Sequence, residues 1–390
     1  MKFLSLTLLL ILSLTIKAYG QEDYKNPDPN FSFENPSPHK PVALPESVKF
    51  KKRPKNIILL IGDGMGVAQV YSALTANKGQ LNLNYMKHIG FMQTQSADDY
   101  ITDSAAAGTA IATGVRVNNG VIAIDQDGKV LKSILYISED NNKATGLVST
   151  SAITHATPAS FVANQPDRGM YEDIAGDFLD SGIDLFIGGG KEHFTSREDG
   201  RNLLEELSQN NYRVFSSLEE AASVKTGPMA ILTAAIHNEV YPERGNLLPD
   251  ATQKAIEVLQ SNKEGFFLMV EGSQIDWGGH ANNTTYIVHE TLDFDRAVGK
   301  ALTFAANNKE TLVIVTADHE TGGMSIDNGD ISKGTLSAKY TTDDHTGIMV
   351  PVFAYGPGAE AFIGIYKNTD LFVKMVEAFG FYTRNKKNAL

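Results

Sequence analysis

A single serine stands where a predicted loop meets a predicted helix, in the stretch TDSAAAGTA at residues 102–110. The first backbone N–H groups of a helix are unpaired and carry partial positive charge, so the hydroxyl of Ser104 would lie where an anion or an alkoxide is stabilised. Thr102 or Asp103 would cap the helix. An ordinary capped helix explains the stretch equally well, so the interpretation depends on the side chains that the fold brings beside Ser104.

Acidic and imidazole side chains follow or precede several predicted buried strands. They are Asp63 in IGDGMG, Glu271, Asp276 and His280 in VEGSQIDWGGH, Asp318 and His319 in TADHETGG, and His345 in DDHTG. Carboxylates placed directly behind a buried strand cost free energy unless they bind something. Asp and His together form a ligand pair suited to zinc. The recurrence of these residue types at successive strand ends predicts a metal site rather than independent surface decoration.

A second group of polar residues follows the predicted strand at residues 145–150. The stretch THATPA offers the imidazole of His155 and the hydroxyl of Thr157, and Arg168 comes thirteen residues after the histidine. A guanidinium can hold two phosphoryl oxygens through parallel hydrogen bonds. Trp277, the only tryptophan, lies inside the acidic segment, where it can shape or cover a pocket. The other histidines have no acidic neighbour at a strand end, and structural roles are expected for them: His39, His88, His193, His237 and His289.

Apolar runs alternate with helical patterns from residue 56 onward. Predicted buried strands cover residues 57–61, 145–150, 183–187, 266–270, 312–316 and 350–354, and predicted helices cover 201–208, 250–260, 284–306 and 369–379. This alternation predicts an α/β fold, with a largely parallel central sheet and helices on both faces. Ligands in such folds gather at the carboxyl ends of the strands, where the polar residues above are expected to meet. Residues 320–349, rich in Gly, Ser, Asp and Thr, are expected to form a long surface excursion.

The composition restricts the location of the protein and its partners. A net charge of −12 over 390 residues argues against binding to nucleic acid or to an anionic membrane, and the lack of cysteine excludes disulfides and thiolate ligands. Residues 1–20 begin with a positively charged Lys2, continue with an apolar run over residues 3–16 and end with the small-residue site at 18–20. This pattern predicts a signal peptide cleaved after Gly20. Residues 21–54, rich in Pro and Asn, are expected to form an extended arm, and residues 55–390 a single domain. No later run is long enough for a membrane span, so a periplasmic or secreted protein is expected.

With these residues assembled, the chain closely resembles the alkaline phosphatase family over roughly residues 55–380. The resemblance implies that Ser104 is the nucleophile that becomes phosphoserine and that Arg168 clamps phosphate. It also implies two Zn2+ and one Mg2+ per subunit. One zinc would be held by Asp276, His280 and His345, the other by Asp63, Asp318 and His319, and the magnesium by Asp63, Thr157 and Glu271. His155 and Trp277 stand at positions that vary within the family and are expected to line the substrate pocket.

The resemblance implies a phosphomonoester hydrolase that acts on small substrates, releases inorganic phosphate and can form a homodimer. A related phosphodiesterase or nucleotide pyrophosphatase would use similar metals, although Arg168 favours a terminal monoester. A sulfatase is disfavoured, because three alanines follow Ser104 in place of the proline and arginine pattern that formylglycine formation needs. A phosphate- or metal-binding protein without catalysis would keep the ligands but turn over no ester. Comparing monoester, diester and sulfate ester turnover separates these alternatives.

Overall fold

The computed structural model describes residues 29–381, so the predicted signal peptide at 1–20 lies outside the described residues, as do residues 21–28 of the arm and residues 382–390. The strands are β1 (Ser32–Glu34), β2 (Asn56–Gly62), β3 (His88–Gln93), β4 (Ala144–Ala152), β5 (Leu185–Gly189), β6 (Arg213–Phe215), β7 (Met229–Leu232), β8 (Phe266–Gly272), β9 (Thr311–Thr316), β10 (Glu320–Thr321), β11 (Ser325–Asp330), β12 (Thr335–Lys339), β13 (His345–Thr346), β14 (Val350–Tyr355) and β15 (Gly364–Lys367). The α-helices are α1 (Val67–Ala76), α2 (Ser104–Thr113), α3 (Ile134–Asp140), α4 (Ala156–Val162), α5 (Tyr171–Asp180), α6 (Lys191–Thr195), α7 (Leu203–Gln209), α8 (Leu247–Leu259), α9 (Gln274–His280), α10 (Thr284–Asn308) and α11 (Asn368–Phe379).

Ten strands form the central sheet, in the order β15-β3-β14-β9-β2-β8-β4-β5-β7-β6. Neighbouring strands run parallel except around β14, which pairs antiparallel with both β3 and β9. This confirms the predicted α/β fold with a largely parallel sheet. Because β14 runs against its neighbours, the residues that precede it lie at the same edge of the sheet as the residues that follow β2, β8 and β9.

The middle of the sheet is completely buried, because helices cover both of its faces. Every residue of β2, β8 and β9 is buried. Strand β8 is contacted by α8 and α10, which pack on each other, and by α3 and α4, which form a separate pair. A fully buried Ile, Leu or Phe side chain contributes about 1.5–3 kcal/mol relative to an exposed one, so the apolar runs at 57–61 and 266–270 hold a firm framework behind the strand ends.

The predicted strands and helices are present, with boundaries shifted by three residues or fewer. Residues 320–349, expected to form a surface excursion, instead contain strands: β11 and β12 form a hairpin, and β10 pairs with β13. The described part of the arm lies against the domain, since β1 pairs with β12 and extends that hairpin. Four strands of the central sheet were not predicted: β3, β6, β7 and β15. Between residues 29 and 381, none of the helices combines the length and the apolar character needed to cross a bilayer.

Candidate active site

Ser104 is the first residue of α2, and its hydroxyl is buried beside an imidazole. Asp103 is the N-cap, because its carboxylate accepts a hydrogen bond from the backbone N–H of Ala106 at 2.9 Å. Every residue of α2 is buried, since its alanines and glycine permit close packing against α4. The Oγ of Ser104 lies 3.2 Å from Nε2 of His319. A serine hydroxyl thus stands at the positive end of a helix, next to one of the predicted ligands.

Three groups of candidate ligands converge at the carboxyl edge of the sheet. Ligand atoms within 4.8 Å of one another occur in three sets: Asp63 with Asp318 and His319, Asp276 with His319 and His345, and Asp63 with His155 and Glu271. The Nε2 of His319 is 3.4 Å from Oδ1 of Asp63 and 3.2 Å from Oδ2 of Asp318. Because the sets share Asp63 and His319, they form one continuous centre at the end of β2, β8 and β9.

Asp276 and His280 lie on α9, and His345 reaches them from β13. Oδ2 of Asp276 is 3.3 Å from Nε2 of His280, and Oδ1 is 3.5 Å from Nε2 of His345. The Nδ1 atoms of the two histidines lie 2.6 Å and 2.8 Å from the carbonyl oxygens of Asp343 and Thr102. A carbonyl oxygen only accepts hydrogen bonds, so Nδ1 carries the hydrogen and Nε2 of each ring faces Asp276.

The third group contains a histidine that was expected to line the pocket. Thr157, expected to bind the magnesium, has its Oγ1 3.5 Å from Oδ2 of Asp63. His155 has a ring nitrogen within 4.8 Å of carboxylate oxygens of Asp63 and Glu271. The oxygens of Thr157 and Glu271 suit Mg2+, whereas an imidazole nitrogen suits transition metals such as zinc. The group therefore mixes two ligand types.

Several ligand atoms are buried without a hydrogen-bond partner among the described residues. They are Oδ1 of Asp63, Oε1 of Glu271, Oδ2 of Asp318, Nε2 of His345 and Nδ1 of His155. The second carboxylate oxygen of Glu271 accepts from the hydroxyls of Ser149 and Ser273 at 2.6 Å and 2.7 Å. A buried polar atom left unpaired costs about 1–3 kcal/mol, so such a set is expected where another group binds. Oxygen and imidazole donors in this arrangement fit divalent metal ions.

The carboxylates raise one another's pKa because they are buried close together. Burial, and then the charges of Asp318, Asp276 and Glu271, hold the pKa of Asp63 well above its ordinary value. Burial, and then the charge of Asp276, raises the pKa of Asp318 to about 7. Divalent cations relieve such repulsion and keep carboxylates ionised. The raised pKa values therefore favour bound divalent metal ions, as the unpaired ligand atoms do.

The imidazoles of the centre differ in protonation. Burial lowers the pKa of His319 well below its ordinary value, and the neighbouring His345 adds to the effect, so the His319 ring is neutral. Burial would also lower the pKa of His280, but the carboxylate of Asp276 outweighs it and raises the pKa to about 9. A metal ligand must present a lone pair. His319 is therefore ready to bind a metal ion, whereas His280 has to release a proton first.

Arg168 lies beside the N-cap of α2. Its Nη1 donates to Oδ2 of Asp103 at 2.9 Å, and its Nη2 is 3.4 Å from Nε2 of His155. Oδ2 of Asp103 also accepts from the backbone N–H of Gly120 at 3.0 Å. Burial by itself would lower the pKa of Arg168, but Asp103 raises it, so the guanidinium stays charged. The capping residue thus has a second role that the sequence did not reveal, since it holds a cation next to Ser104.

Two histidines that were expected to be structural adjoin this region. The rings of His237 and Trp277 are 4.9 Å apart, and their centres lie 5.9 Å and 6.1 Å from that of His155. Nδ1 of His193 lies 2.6 Å from the hydroxyl of Thr154, the residue before His155. His193 follows the predicted strand at residues 183–187, so the rule that site residues follow strand ends could have found it, whereas His237 follows β7, which was not predicted.

Comparisons with known proteins agree on one family. The family model for alkaline phosphatase matches residues 54–339. Alkaline phosphatase 4 of Bacillus subtilis is 36% identical, over 83% of this chain and 89% of its own length, and the alkaline phosphatase of Escherichia coli is 33% identical, over 87% and 88%. The structure of alkaline phosphatase from the Antarctic bacterium TAB5 matches with a TM-score of 0.80 and 41% identity, over 86% of this chain and 100% of that chain. A mutant of that enzyme was solved with magnesium bound in its M3 site.

The matched region contains all but one of the residues that form the centre. The family model spans Ser104, Arg168 and every predicted ligand except His345. The family and the magnesium-bound structure imply divalent metal cofactors, in keeping with the unpaired ligand atoms at the sheet edge. The chain therefore belongs to the alkaline phosphatase family, whose members are phosphomonoester hydrolases.

Proposed function

We propose that the chain is a metal-dependent hydrolase that cleaves small phosphomonoesters and releases inorganic phosphate through a phosphoserine at Ser104. One observation carries the proposal: the Oγ of Ser104 lies at the start of α2 and 3.2 Å from Nε2 of His319, so the hydroxyl adjoins the ligand groups. Arg168 is held by the carboxylate that caps the same helix. A nucleophile, a cation and a set of metal ligands are thereby gathered at one helix end, as phosphoryl transfer requires.

The proposed metal complement is two Zn2+ and one Mg2+. Asp276, His280 and His345 would hold one zinc, Asp63, Asp318 and His319 the other, and Asp63, Thr157 and Glu271 the magnesium, with His155 and Trp277 at the pocket wall. When bound, such ions lower the cost of ionising a hydroxyl or a water and neutralise phosphoryl oxygens. The unpaired buried ligand atoms and the raised pKa of Asp63 support divalent cations at this centre, and the oxygen ligands of Thr157 and Glu271 favour magnesium for the third ion.

The reaction consists of two displacements at phosphorus. The Oγ of Ser104 gives up its proton to solvent water and bonds to phosphorus while the bond to the ester oxygen breaks, and the alcohol leaves with a proton taken back from water. A water oxygen then attacks the phosphoserine and loses a proton, the bond to Oγ breaks, Oγ regains a proton, and inorganic phosphate departs. The first N–H groups of α2 stabilise the ionised hydroxyl, and the guanidinium of Arg168 stabilises the equatorial oxygens in both steps.

Arg168 favours a monoester over a diester. A terminal phosphoryl group presents three oxygens besides the ester oxygen, so two of them can accept from the guanidinium. A diester replaces one of these oxygens with a second alkoxy group. A diester therefore has only two such oxygens, so if both accept from the guanidinium none is left to face the metal ligands, whereas a monoester keeps a third.

The proposal extends to the organisation of the chain. Residues 1–20 would be a cleaved signal peptide, 21–54 an arm and 55–390 one domain of a periplasmic or secreted enzyme. The pairing of β1 with β12 supports an arm that folds with the domain. Sequencing of the exported protein should find Gln21 first, and retention of residues 1–20 would contradict the proposal.

A homodimer is also proposed. Ile365 on the edge strand β15 pairs with Phe91 on β3, and the two side chains are 65% and 36% exposed. An exposed apolar patch on an edge strand is suited to a second copy of the chain. Sedimentation of the wild type beside Ile365→Lys tests this: a dimer that the variant loses supports the proposal, and a monomeric wild type overturns it.

The central test is hydrolysis of an aryl phosphate monoester at alkaline pH. We expect the activity to disappear on removal of metal by a chelator, to return with zinc and magnesium, and to fall by about a thousandfold or more in Ser104→Ala. Ser160→Ala is the matched control, because Ser160 is also buried and contacts α2, but its hydroxyl donates to the carbonyl of Ala156 at 2.8 Å. The control should keep its activity within a few-fold.

Further measurements separate the parts of the proposal. Metal analysis of the reconstituted enzyme measures the ratio of zinc to magnesium, and mass spectrometry after acid quenching detects phosphate on Ser104. Turnover of diesters without monoesters would keep the family and reject the substrate class. An active Ser104→Ala variant would reject the phosphoserine.

A further inference from the structure

Thr321 lies among the ligand groups without being one of the predicted ligands. It ends the short strand β10, two residues after His319, and is completely buried. Its Oγ1 lies 2.5 Å from Oδ1 of Asp276 and 3.2 Å from Nδ1 of His319. Its partner in the pairing of β10 with β13 is His345. One hydroxyl therefore contacts side chains that are proposed to bind two different zinc ions.

The hydrogen-bonding capacity of these groups sets the direction of both contacts. An ionised carboxylate only accepts, so the hydroxyl of Thr321 donates to Asp276. The oxygen of that hydroxyl keeps lone pairs for His319, whose Nδ1 must carry a hydrogen to use them. A neutral imidazole with hydrogen on Nδ1 has its lone pair on Nε2. In His319 that atom faces Asp63 and Asp318, at 3.4 Å and 3.2 Å.

Glycines in two of the ligand motifs make room for this side chain. A Cβ added to Gly64 would lie 2.8 Å from Oγ1 of Thr321, and one added to Gly279 would lie 2.8 Å from its Cβ. Gly64 also has a φ of +72°, and its carbonyl accepts from the N–H of Thr321 at 3.3 Å. Real Cβ atoms essentially never approach another heavy atom so closely. The segments after β2, β8 and β9 therefore meet at Thr321. Its side chain, together with Cα of Asp276 at 2.7 Å from a Cβ added at position 64, explains glycine at 64 and 279.

We propose that Thr321 is a positioning residue: its hydroxyl orients Asp276 and selects the tautomer of His319 in which Nε2 keeps its lone pair for a metal ion. This inference rests on the metal sites of the proposed function. Thr321 contacts neither substrate nor metal ion and acts only through the two ligands. Outer hydrogen-bond partners of metal-binding histidines typically contribute 10- to 100-fold to metal affinity, so we expect an effect of about that size.

The experiment compares Thr321→Val, which keeps the shape and removes the hydroxyl, with Thr321→Ser, which keeps the hydroxyl and removes a methyl group. Zinc-loaded proteins are titrated with a chelator to measure zinc affinity. We expect Thr321→Val to bind zinc about 10- to 100-fold more weakly than wild type and Thr321→Ser to remain close to wild type. Thermal unfolding of the metal-free proteins checks that both variants are folded. Equal affinity in Thr321→Val and wild type overturns the proposal, as does an equal loss in both variants.

A second measurement uses the wild type alone and so does not depend on a variant that folds. NMR of nitrogen-labelled histidine reports which ring nitrogen of His319 carries the hydrogen. Hydrogen on Nδ1 supports the proposal, and hydrogen on Nε2 overturns it. If the wild type binds no zinc, the proposed function fails, and the tautomer in the metal-free protein still decides the role of Thr321.

Discussion

Two clusters of buried charge in this protein differ in how their carboxylates are satisfied. In the arginine network, Arg244 donates to both oxygens of Glu290 and to Oδ2 of Asp293, while Arg296 donates to Oδ1 of Asp293. Glu290 also accepts from the backbone N–H of Tyr241. All four carboxylate oxygens of the network have donors that the chain itself supplies.

The ligand cluster, formed by Asp63, Glu271 and Asp318, is just as buried but is left incomplete. Each of its carboxylates keeps one buried oxygen without a hydrogen-bond partner among residues 29–381. The guanidinium of Arg168 is engaged by Asp103. Burial alone therefore does not distinguish a structural ion pair from a binding site. The distinction lies in whether the chain supplies the compensating donors, and a set left without them marks a place where another group binds.

Asp63→Asn should give the largest change, with opposite signs for activity and for stability. It removes the carboxylate that two ligand groups share, and monoester hydrolysis should fall by about a thousandfold or more. In the metal-free protein the same change removes repulsion, because burial and neighbouring carboxylates raise the pKa of Asp63. The metal-free variant should therefore unfold at a higher temperature than the metal-free wild type at pH 8, as measured by calorimetry.

Asp293→Asn is the matched control for this comparison, because it makes the same substitution in the arginine network, where both oxygens of Asp293 accept from guanidinium groups. It should lower the unfolding temperature both with and without metal. If metal-free Asp63→Asn were less stable than the metal-free wild type, the distinction between the two clusters would be lost.

Arg244→Met tests the arginine network from the side of the cation. Without the guanidinium, Glu290 and Asp293 are left buried without their main partner, and the free energy of unfolding should fall by about 3–5 kcal/mol. Urea unfolding measures the loss. Arg201→Met is the control, since Arg201 pairs with Glu206 at the surface, where the side chains are 47% and 33% exposed. Its stability should hardly change, and equal losses in both variants would show that burial does not set the cost.

Glu139 is intermediate between the two clusters, because it is partly buried and accepts one hydrogen bond. Glu139→Gln should give the smallest change in stability. The carboxylate of Glu139 accepts from the hydroxyl of Thr145 at 2.9 Å, and burial raises its pKa from 4.5 to about 7. The folded chain then binds more protons than the unfolded chain between these values, so Glu139 lowers stability as the pH rises through them. The variant should unfold a few degrees above wild type at pH 8, with a smaller difference at pH 5.

Asp140→Asn is the control for this pH dependence, because the side chain of Asp140 is 59% exposed. Thermal unfolding of both variants at the two pH values makes the comparison. A difference between Glu139→Gln and wild type that stays the same at pH 5 and pH 8 would contradict the assignment.

The site residues that the sequence predicted are each marked by a pattern in the neighbouring sequence. Asp63, Glu271 and Asp318 each come at the end of an apolar run, and such runs are typical of central parallel strands. The carboxyl ends of parallel strands share one edge, so the meeting of these residues was predictable. Ser104 was recognisable for a similar reason, because a capping residue and a run of alanines mark the start of a helix.

The rest of the site depends on contacts between distant segments. His345 comes before β14 in the chain. It reaches the ligand edge of the sheet only because β14 is antiparallel to β9. Strand direction is set by the connection and by the neighbouring strands, and the apolar run at 350–354 carries no sign of it. His237 lies beside Trp277 for a similar reason, since β7 is parallel to β5.

By itself, the sequence determined the α/β fold class, the residue types that end the strands and the family that they resemble. Only the tertiary structure decided that Asp103 holds Arg168 from 65 positions away and that Thr321 joins Asp276, 45 positions away, to His319. The reason is physical. An apolar run is buried by almost any apolar partner, so its pattern can be recognised along the chain. A hydrogen bond requires particular atoms within about 3 Å, and only the folded chain brings them there.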